Sequence, residues 1–381
     1  MRDEELSLSI VIPAFNEAVR IRDRAGLLNE AVAAGDINPL STELIVVDDG
    51  STDETAQLAE GLLAPVYPRL RILRLKANSG KGAAIRVGAG AAAAPYVAFM
   101  DADMAVDPAQ ISLLLAAMEG AHVAIGSRAM SGSTIQSHSR HRMVMGRTFN
   151  FLANAVTNVG LNDTQCGFKA FRTPVARILF HLMVIDRFAF DVEVLSLARQ
   201  LGLQISEVPV EWCETPHSTV RPVSDSMSMA RDVLRIRWRK KRPYIPALVV
   251  GAGVADGDPI RSQVLEDALG GVRRTDPVLP LAQGRALILL PLCKPDEVDG
   301  AAARLAHPLT KLTVRRRLIS SAELMAMMPL TLADVDGLRA GQAGGIDPTL
   351  AERRHVSLNA GHFRHYPPVE ASEAEMSRLE A

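Results

Sequence analysis

Short apolar runs alternate with longer alanine-rich segments between Leu8 and Ile125, and each run ends in a polar or glycine-bearing loop. This alternation is typical of strands that are joined by helices and lie parallel in one sheet. It predicts an α/β fold with a mostly parallel, wound sheet and helices on both faces. The predicted strands are Leu8–Ile12, Leu44–Val47, Arg71–Leu75, Tyr96–Met100 and His122–Ile125.

Helices are predicted between these strands. Asp107 stands before Pro108, and an acidic side chain followed by proline is a favoured way to begin a helix. A further strand is predicted at Ile205–Trp212. The predicted helices are Ala18–Ala34, Thr52–Leu63, Gly82–Ala93, Pro108–Met118, Arg142–Asn158, Phe188–Gly202 and Ser226–Trp238.

Composition excludes several classes of protein. Hydrophobic residues make up 48% and charged residues 22% of the chain, as in ordinary globular proteins. The net charge of -1 argues against a polycation, so we expect no nucleic-acid partner. Cys166, Cys213 and Cys293 form no CxxC pair, which argues against a disulfide scaffold or a zinc ribbon and favours a reducing cytoplasm. No apolar run is long enough to predict a membrane-spanning helix.

The chain is predicted to divide after a basic cluster, Arg237–Arg242, where composition shifts toward Gly, Ala and Pro. We expect a first domain at 1–243, a smaller C-terminal domain at 244–366 and a polar tail at 367–381. Apolar runs at Leu248–Val250 and Ala286–Leu292 predict that the C-terminal domain folds. Its role is left open among cofactor binding, oligomerisation and partner docking.

Polar loops follow the predicted strands, and wound sheets bind ligands at the carboxyl ends of their strands. Asp101 and Asp103 end an apolar strand, and their hard oxygens suit Mg²⁺ or Mn²⁺. A solvated loop that caps the next helix is the alternative for this pair. Asp48 and Asp49 can accept hydrogen bonds from a base or a ribose, or simply form a turn. Lys81 is placed to meet phosphate or base oxygens, unless it is an ordinary surface lysine.

Two common nucleotide motifs are excluded. A Walker loop needs Ser or Thr after Gly-Lys, whereas Gly82 follows Lys81. No GxGxxG follows the first strand, so ATP-binding and NAD-binding interpretations are disfavoured.

Five ordered motifs carry a resemblance to a known family. The segments 9–17, 46–53 and 101–103 resemble family 2 glycosyltransferases with the GT-A fold. The segments 163–169 and 187–193 resemble the polyprenyl-phosphate branch, particularly dolichyl-phosphate glucosyltransferases, followed by dolichyl-phosphate mannose synthases. The resemblance covers Leu8 to Arg242.

The resemblance implies inverting transfer of a sugar from a nucleotide diphosphate sugar. It implies that Asp101 contacts the ribose or a metal and that Asp103 holds the metal. Mannose synthases place a metal-binding Gln where this chain has Ala105, so the resemblance favours UDP-glucose over GDP-mannose. The residues that it assigns to the nucleoside are Pro13, Ala14, Glu17 and Asp49.

The acceptor decides whether a base is needed. A hydroxyl must lose a proton, whereas a phosphate monoester, with a second pKa near ~6, is already ionised and needs cations instead. No acid occurs from Gly120 to Asn162, where we select Arg128, Arg140 and Arg142 as phosphate ligands, with a solvated helix face as the alternative.

The remaining acceptor-side candidates come from the later motifs. Asp191 is the candidate base for a hydroxyl acceptor, and with a phosphate acceptor it would orient Lys169 or an arginine. Gln165 and Lys169 are candidate acceptor contacts. Phe168 and Phe171 are interpreted as core.

A lipid acceptor requires access to a bilayer. Met229, Val233 and Ile236 form an apolar stripe that ends at Trp238, amid basic residues, and such a helix can lie on anionic lipid. The alternative is a helix that packs this stripe on the first domain. We expect a cytoplasmic protein that is peripheral to the inner face of the membrane.

Three functions follow from these observations. The first is a metal-dependent transferase that makes a polyprenyl-phosphate sugar. The second applies the same chemistry to a soluble acceptor, either a phosphorylated small molecule or a saccharide. The third is a non-catalytic regulator that binds sugar nucleotides, against which the intact Asp101 and Asp103 argue.

Overall fold

The structure of the protein is a computed structural model. All the described residues belong to one compact unit, which spans Met1–Gln342. They are residues 5–136, 150, 152–157, 159–215, 229, 231–233, 236, 244–252, 278–281, 285–291, 298, 300, 302 and 312–320.

A sheet of seven strands forms the centre of the fold. Its strands are β1 (Leu8–Ala14), β2 (Thr42–Asp48), β3 (Leu70–Arg74), β4 (Tyr96–Phe99), β5 (Val123–Ser127), β7 (Lys169–Arg172) and β8 (Ile205–Pro209). The order is β3-β2-β1-β4-β7-β5-β8. Strand β7 runs antiparallel to both neighbours, whereas the other pairs are parallel. The mostly parallel α/β sheet predicted from the sequence is therefore confirmed.

Six helices flank this sheet in the described part of the chain. A 3₁₀ turn at Pro108–Gln110 leads into the helix at Ile111–Ala117, and the Asp107 side chain accepts a hydrogen bond from Ala109 N at 2.9 Å, as the predicted cap requires. Residues 152–157 are also helical, within the predicted helix Arg142–Asn158. The six helices are α1 (Ala18–Ala34), α2 (Thr55–Leu63), α3 (Lys81–Ala91), α4 (Ile111–Ala117), α5 (Thr173–Leu182) and α6 (Phe190–Gln200).

Alternate residues of the central strands face two separate apolar clusters. In β1, Val11 belongs to one cluster, while Ile10 and Ile12 belong to the other. The first cluster includes residues of α3, α5 and α6, and the second includes residues of α1, α2 and α4. Successive side chains of a strand point to opposite faces, so both faces of this sheet are covered by helices, as predicted.

Two smaller sheets complete the described structure. Strands β6 (Thr134–Gln136) and β9 (Glu211–Cys213) pair in parallel. Four antiparallel strands follow the order β11-β12-β10-β13. The single strand predicted at Ile205–Trp212 is wrong in one respect, because Val210 separates β8 from β9 and the two belong to different sheets. The four strands are β10 (Tyr244–Ala252), β11 (Val278–Leu281), β12 (Arg285–Leu289) and β13 (Leu312–Ser320).

The four-stranded sheet shares a core with the seven-stranded sheet. Ile245, Leu287 and Ile319 are buried in the same apolar cluster as Ile85 of α3 and Leu195 of α6. The two sheets therefore pack together. The division at 1–243, 244–366 and 367–381 stays a proposal about chain organisation.

The apolar stripe considered for membrane contact packs inside the protein. Val233 is fully buried in the first apolar cluster, and Ile236 packs against it. This favours the packing alternative over lipid contact for the stripe, because its central side chains are already covered. Trp238 and the basic cluster Arg237–Arg242 lie outside the described residues. Among the residues described, no helix has the length and apolar content needed to cross a bilayer.

Candidate functional site

The loops after β1 and β2 meet at the carboxyl edge of the sheet. Asp49 N donates a hydrogen bond to Ala14 O at 2.8 Å, and Asn16 N donates one to Ser51 Oγ at 2.9 Å. Pro13 is half-buried and Ala14 is buried. The structure thus brings together the residues that the resemblance assigns to the nucleoside.

Asp48 is a structural residue of the β2 loop. It is fully buried, its Oδ1 accepts from Ser51 N at 2.8 Å, and its Oδ2 accepts from Arg74 Nε at 2.9 Å. A side chain without exposed surface stabilises the turn, as the turn interpretation predicts. The alternative, a nucleoside contact through Asp48, is not favoured by this burial.

Asp49 joins the β2 loop to the start of α3. Its two carboxylate oxygens accept from Ser79 N at 2.8 Å and from Gly80 N at 2.7 Å. Burial raises the pKa of Asp49, and the two N–H groups oppose that rise. Asp49 therefore fixes the position of the glycine loop that precedes Lys81.

Glu17 lies in a region of concentrated negative charge. Its carboxylate accepts two hydrogen bonds from Arg20 Nη1, at 2.7 and 2.8 Å. Burial raises the pKa of Glu17 to about 7; Arg20 opposes this rise, and the carboxylates of Asp103 and Asp101 add to it. A cation bound among these three acids would lower their mutual repulsion.

Lys81 is paired with the first aspartate of the Asp101–Asp103 motif. Its Nζ lies 2.5 Å from Asp101 Oδ1. Burial alone would lower the pKa of Lys81, but the carboxylates of Asp101 and Asp191 outweigh it, and the net pKa is raised. Lys81 is therefore a permanent cation within the site, and the surface-lysine alternative does not describe it.

Asp103 lies on a constrained turn with partners from distant parts of the chain. Its Oδ1 accepts from Ala105 N at 3.2 Å, and its Oδ2 accepts from Thr215 Oγ1 at 3.0 Å. Met104 has a φ of 45°, which is unusual for a residue other than glycine. Arg24 donates to the backbone carbonyls of Asp103 and Met104. Burial and the Asp101 carboxylate raise the pKa of Asp103.

Gly167 is a site residue that the sequence analysis did not single out. A Cβ at this position would lie 2.2 Å from Asp101 Oδ2, closer than real side chains approach. Gly167 thus makes room for the aspartate, and its place within the 163–169 motif was the available signal. Both lie beside a pocket that is lined by Met100, Asp101, Asp103, Met104, Ala105, Val106, Gly167, Phe168 and Trp212.

Lys169 and Asp191 form a buried ion pair. Lys169 Nζ donates to Asp191 Oδ1 and, at 2.6 Å, to Cys166 O. Burial raises the pKa of Asp191, while Lys169 and then Lys81 oppose that rise. The sequence-based expectation that Asp191 orients Lys169 matches this contact. Lys169 is only 1% exposed, which disfavours a direct acceptor contact through its side chain in this conformation.

Arg128 is paired with an acid that the sequence analysis did not assign to it. Its Nε and Nη2 donate to the two carboxylate oxygens of Asp163, at 2.7 and 3.0 Å. Burial alone would lower the pKa of Arg128, but Asp163 outweighs it and the net pKa is raised. The guanidinium also lies over the Trp212 ring, 5.8 Å from its centroid. One edge of the guanidinium is therefore occupied, and phosphate binding by Arg128 stays a prediction.

The other acceptor-side candidates are only partly described. Gln165 is half-buried beside the Asp163 carboxylate, which accepts a hydrogen bond from its backbone N. Its side-chain Nε2 is buried and has no hydrogen-bond partner among the described residues. An acceptor contact through this side chain stays a prediction, because the nitrogen is enclosed in this conformation. Arg140 and Arg142 lie outside the described residues.

The acids at this edge suit a divalent cation that is bound together with a phosphorylated ligand. Within the described ranges, no cluster of three or more His, Cys, Asp or Glu is placed to hold a metal alone. Asp101 and Asp103 are two hard carboxylates one residue apart. Mg²⁺ is commonly held by one or two carboxylates plus substrate phosphates, so these donors fit a metal that a diphosphate helps to bind.

Comparison with known proteins assigns the family. The family model described as "Glycosyl transferase family 2" matches residues 9–180. The dolichyl-phosphate beta-glucosyltransferase of Dictyostelium discoideum is 35% identical over 248 residues, which cover 62% of this chain and 75% of that protein. This chain belongs to glycosyltransferase family 2. It is therefore a glycosyltransferase, and the family assignment disfavours a non-catalytic regulator.

Other relatives of this glycosyltransferase carry the same name. The dolichyl-phosphate beta-glucosyltransferase of Drosophila melanogaster is 37% identical and covers 61% of this chain and 74% of its own. The human protein of that name is 32% identical and covers 61% of this chain and 75% of its own. The resemblance drawn from the motifs is confirmed.

Two solved structures are similar to this glycosyltransferase at a lower level. Glucosyl-3-phosphoglycerate synthase from Mycobacterium tuberculosis, in complex with Mn²⁺, UDP and glucosyl-3-phosphoglycerate, gives a TM-score of 0.45 and 21% identity, over 61% of this chain and 78% of that chain. S. aureus TarS in complex with UDP gives 0.42 and 18%, over 61% of this chain and 65% of that chain. The family assignment does not depend on either.

Proposed function

We propose that this glycosyltransferase transfers glucose from UDP-glucose to a polyprenyl phosphate of the dolichyl type, with inversion at the anomeric carbon. Mg²⁺ or Mn²⁺, held by Asp101 and Asp103, is part of the proposal. The names of its curated relatives, dolichyl-phosphate beta-glucosyltransferases, support both the sugar and the acceptor.

The buried ion pair of Asp191 with Lys169 is the observation that supports a phosphate acceptor. This carboxylate is buried and held by the Lys169 ammonium, so it is not available to take a proton from a sugar hydroxyl. A phosphate monoester is already largely ionised at neutral pH and needs no base. The ion pair therefore favours a phosphate acceptor.

The other described acids at this edge are also engaged. Asp101 is paired with Lys81, Asp163 with Arg128, and Asp103 accepts from Thr215. These contacts fix the charges in place before substrate binds, which is how an active site stabilises a charged transition state at low reorganisation cost. With these acids engaged, an acceptor that needs no base suits such a site.

The acids at this edge have a role in the proposal because they would hold the cation that stabilises the leaving diphosphate. A divalent cation next to Asp103 would stabilise the charge that grows on the diphosphate as the sugar bond breaks, by several kcal/mol. Asp101 and Asp103 hold that cation, and Lys81 keeps the Asp101 carboxylate in position. The acceptor phosphate then attacks the anomeric carbon from the opposite side.

Position 105 supports the choice of donor. Ala105 has no side-chain ligand to offer a metal, and its backbone is used for structure: its N–H donates to Asp103, and its carbonyl accepts from Cys213 N at 2.8 Å. This agrees with the departure from the mannose synthase pattern and supports UDP-glucose over GDP-mannose. Glu17, Asp49 and the Pro13–Ala14 segment are the proposed nucleoside contacts.

Product extraction tests the acceptor. The purified protein is incubated with Mn²⁺ and UDP-glucose labelled in the sugar, together with dolichyl phosphate in detergent or with a soluble phosphorylated sugar. We expect the label to pass into the butanol phase with the lipid acceptor only. Label that enters only water-soluble product would reject the polyprenyl phosphate and support the soluble-acceptor alternative.

Two controls make this test specific. GDP-mannose labelled in its sugar should give little lipid product, and more product than with UDP-glucose would reverse the donor assignment. The same reaction in EDTA should stop, and undiminished transfer there would contradict the metal. A polyprenyl acceptor also implies peripheral contact with a membrane, which co-flotation of the protein with vesicles containing polyprenyl phosphate would detect.

A further inference from the structure

The hydroxyl of Thr215, from a distant part of the chain, contacts the Asp103 carboxylate that is proposed to bind the metal. Thr215 Oγ1 lies 3.0 Å from Asp103 Oδ2, although 112 residues separate the two in sequence. Hydrogen bonds to an ionised carboxylate are stronger and more directional than bonds between neutral groups. This contact is therefore able to select one orientation of the Asp103 side chain.

Thr215 is itself held in place by strand β9. Cys213 N donates to Ala105 O at 2.8 Å, and Glu214 N donates to Gln136 O at 2.8 Å. Trp212 forms a β-bridge with Val106. The backbone on both sides of the Asp103 turn is thus tied to the segment that carries Thr215.

The threonine has little freedom to move away from the aspartate. It is 8% exposed, so its side chain is almost completely enclosed. The turn itself is also held by Arg24, which donates to the carbonyls of Asp103 and Met104. The Asp103 turn is therefore held both by α1 and by the segment after β9.

The hydrogen bonds leave room for a metal. A carboxylate offers about four lone-pair positions over its two oxygens. Ala105 N uses one on Oδ1, and Thr215 uses one on Oδ2. One position on each oxygen remains, and the two hydrogen bonds determine the direction in which those positions point.

We propose that Thr215 is a positioning residue that orients the Asp103 carboxylate toward a divalent cation and so sets the affinity of the site for that cation. This inference rests on the proposed metal site. Residues that hydrogen-bond a metal ligand typically change metal affinity by about 10- to 100-fold when they are replaced. Thr215 should act on metal affinity rather than on the affinity for the nucleotide alone.

Calorimetry with UDP and Mn²⁺ tests this role directly. UDP is titrated into the full-length protein at a series of Mn²⁺ concentrations and in EDTA. In Thr215→Val, which removes the hydroxyl and keeps the shape, we expect the Mn²⁺ concentration for half-maximal UDP binding to rise about 10- to 100-fold. UDP binding in EDTA should match that of the parent. Thr215→Ser, which keeps the hydroxyl, should restore most of the Mn²⁺ response.

A matched control separates this effect from loss of structure. Thr173 is also buried, and its hydroxyl donates to Ala94 O at 2.7 Å. Thr173→Val removes a hydroxyl from the core without touching Asp103, so it should lower the melting temperature and leave the Mn²⁺ response unchanged. An unchanged Mn²⁺ response in Thr215→Val, or an equal rise in Thr173→Val, would overturn the proposal.

The outcomes also separate this inference from the proposed function. If Thr215→Val weakens Mn²⁺ binding while no sugar reaches a polyprenyl phosphate, the positioning role holds and the acceptor is wrong. If transfer to the lipid proceeds normally and Thr215→Val binds Mn²⁺ like the parent, the function holds and the positioning role is wrong. A parent protein that shows no Mn²⁺ response rejects both the metal site and the role of Thr215.

Discussion

The loops after β2 and β4 both carry two aspartates at the same sheet edge, yet the structure uses them differently. Asp48 and Asp49 are bound mainly by backbone N–H groups, and Arg74 supplies the one side-chain partner that contacts this pair. Asp101 and Asp103 instead each have a side-chain partner, Lys81 and Thr215 respectively. The first pair fixes loops through these contacts, and the second pair is the one proposed to hold the metal. The two acidic pairs at this sheet edge therefore differ in the partners that hold their carboxylates.

The largest expected effect separates, by activity, a proposed metal ligand from an acid that only holds a loop. Asp103→Asn removes a charge from the proposed metal site, and since a metal supplies several kcal/mol, the transfer rate should fall by about 10²- to 10⁴-fold. Initial rates of transfer from labelled UDP-glucose at saturating Mn²⁺ measure this. Asp53→Asn, in a loop-building acid that accepts from Ala18 N and Thr55 N, should keep most of the activity. Equal losses in both would break the distinction.

The next effect concerns the space beside Asp101. Gly167→Ala places a Cβ where the Asp101 carboxylate lies, and a displacement of about 1 Å can cost about 100-fold in rate. The transfer rate and the melting temperature check this. Gly26→Ala lies within α1 with nothing within 4 Å of the new Cβ, so it should leave the rate unchanged and stabilise the helix by about 1 kcal/mol. A fully active Gly167→Ala would show that Asp101 tolerates a shift.

The free energy of unfolding tests the loop-fixing role of Asp49. Asp49→Ala removes both acceptors for the glycine loop, and hydrogen bonds to charged groups contribute about 1.5–3 kcal/mol each. We expect the free energy of unfolding in urea to fall by about 3 kcal/mol. Asp36→Asn, in an exposed acid, should change it by less than about 0.5 kcal/mol. A similarly small loss in Asp49→Ala would mean that the glycine loop is held by other contacts.

The smallest effect concerns pH. The pKa of Glu17 is raised from 4.5 to about 7, so the folded protein binds a proton that the unfolded chain has already lost in this range. This contribution to stability is fully present below pH 4.5 and is lost as the pH rises toward 7. Urea unfolding in EDTA at several pH values should show a loss of roughly 1–3 kcal/mol that Glu17→Gln abolishes. An identical pH profile in that variant would exclude Glu17 as the cause.

Periodicity predicted most of the seven-stranded sheet but missed β7. Lys169 and Arg172 give this short strand two charges, so its sequence does not read as a buried strand. Both charges are satisfied by tertiary contacts: Lys169 by Asp191, and Arg172 by the carbonyl oxygens of Met118 and Ala121. Such partners come from other elements, and local pattern carries no information about them.

The site shows the same limit. Strand ends and motif spacing located Asp101 and Asp103, because they depend on local sequence. Thr215 and Gly167 were missed, since their importance comes from contacts with a loop that lies far away in the chain. The stripe at Val233 and Ile236 was open to two interpretations because amphipathicity shows that a face is covered without showing what covers it.

The apolar cluster that joins the two large sheets limits how the protein can be shortened. Cutting the chain near Tyr244 would remove Ile245, Leu287 and Ile319 from this cluster and so expose apolar side chains of the remaining part to water. Such a fragment would contain every proposed catalytic side chain and yet present an exposed apolar surface, which promotes aggregation. We therefore expect a stable, active fragment to need the four-stranded sheet, even if that sheet never touches a substrate.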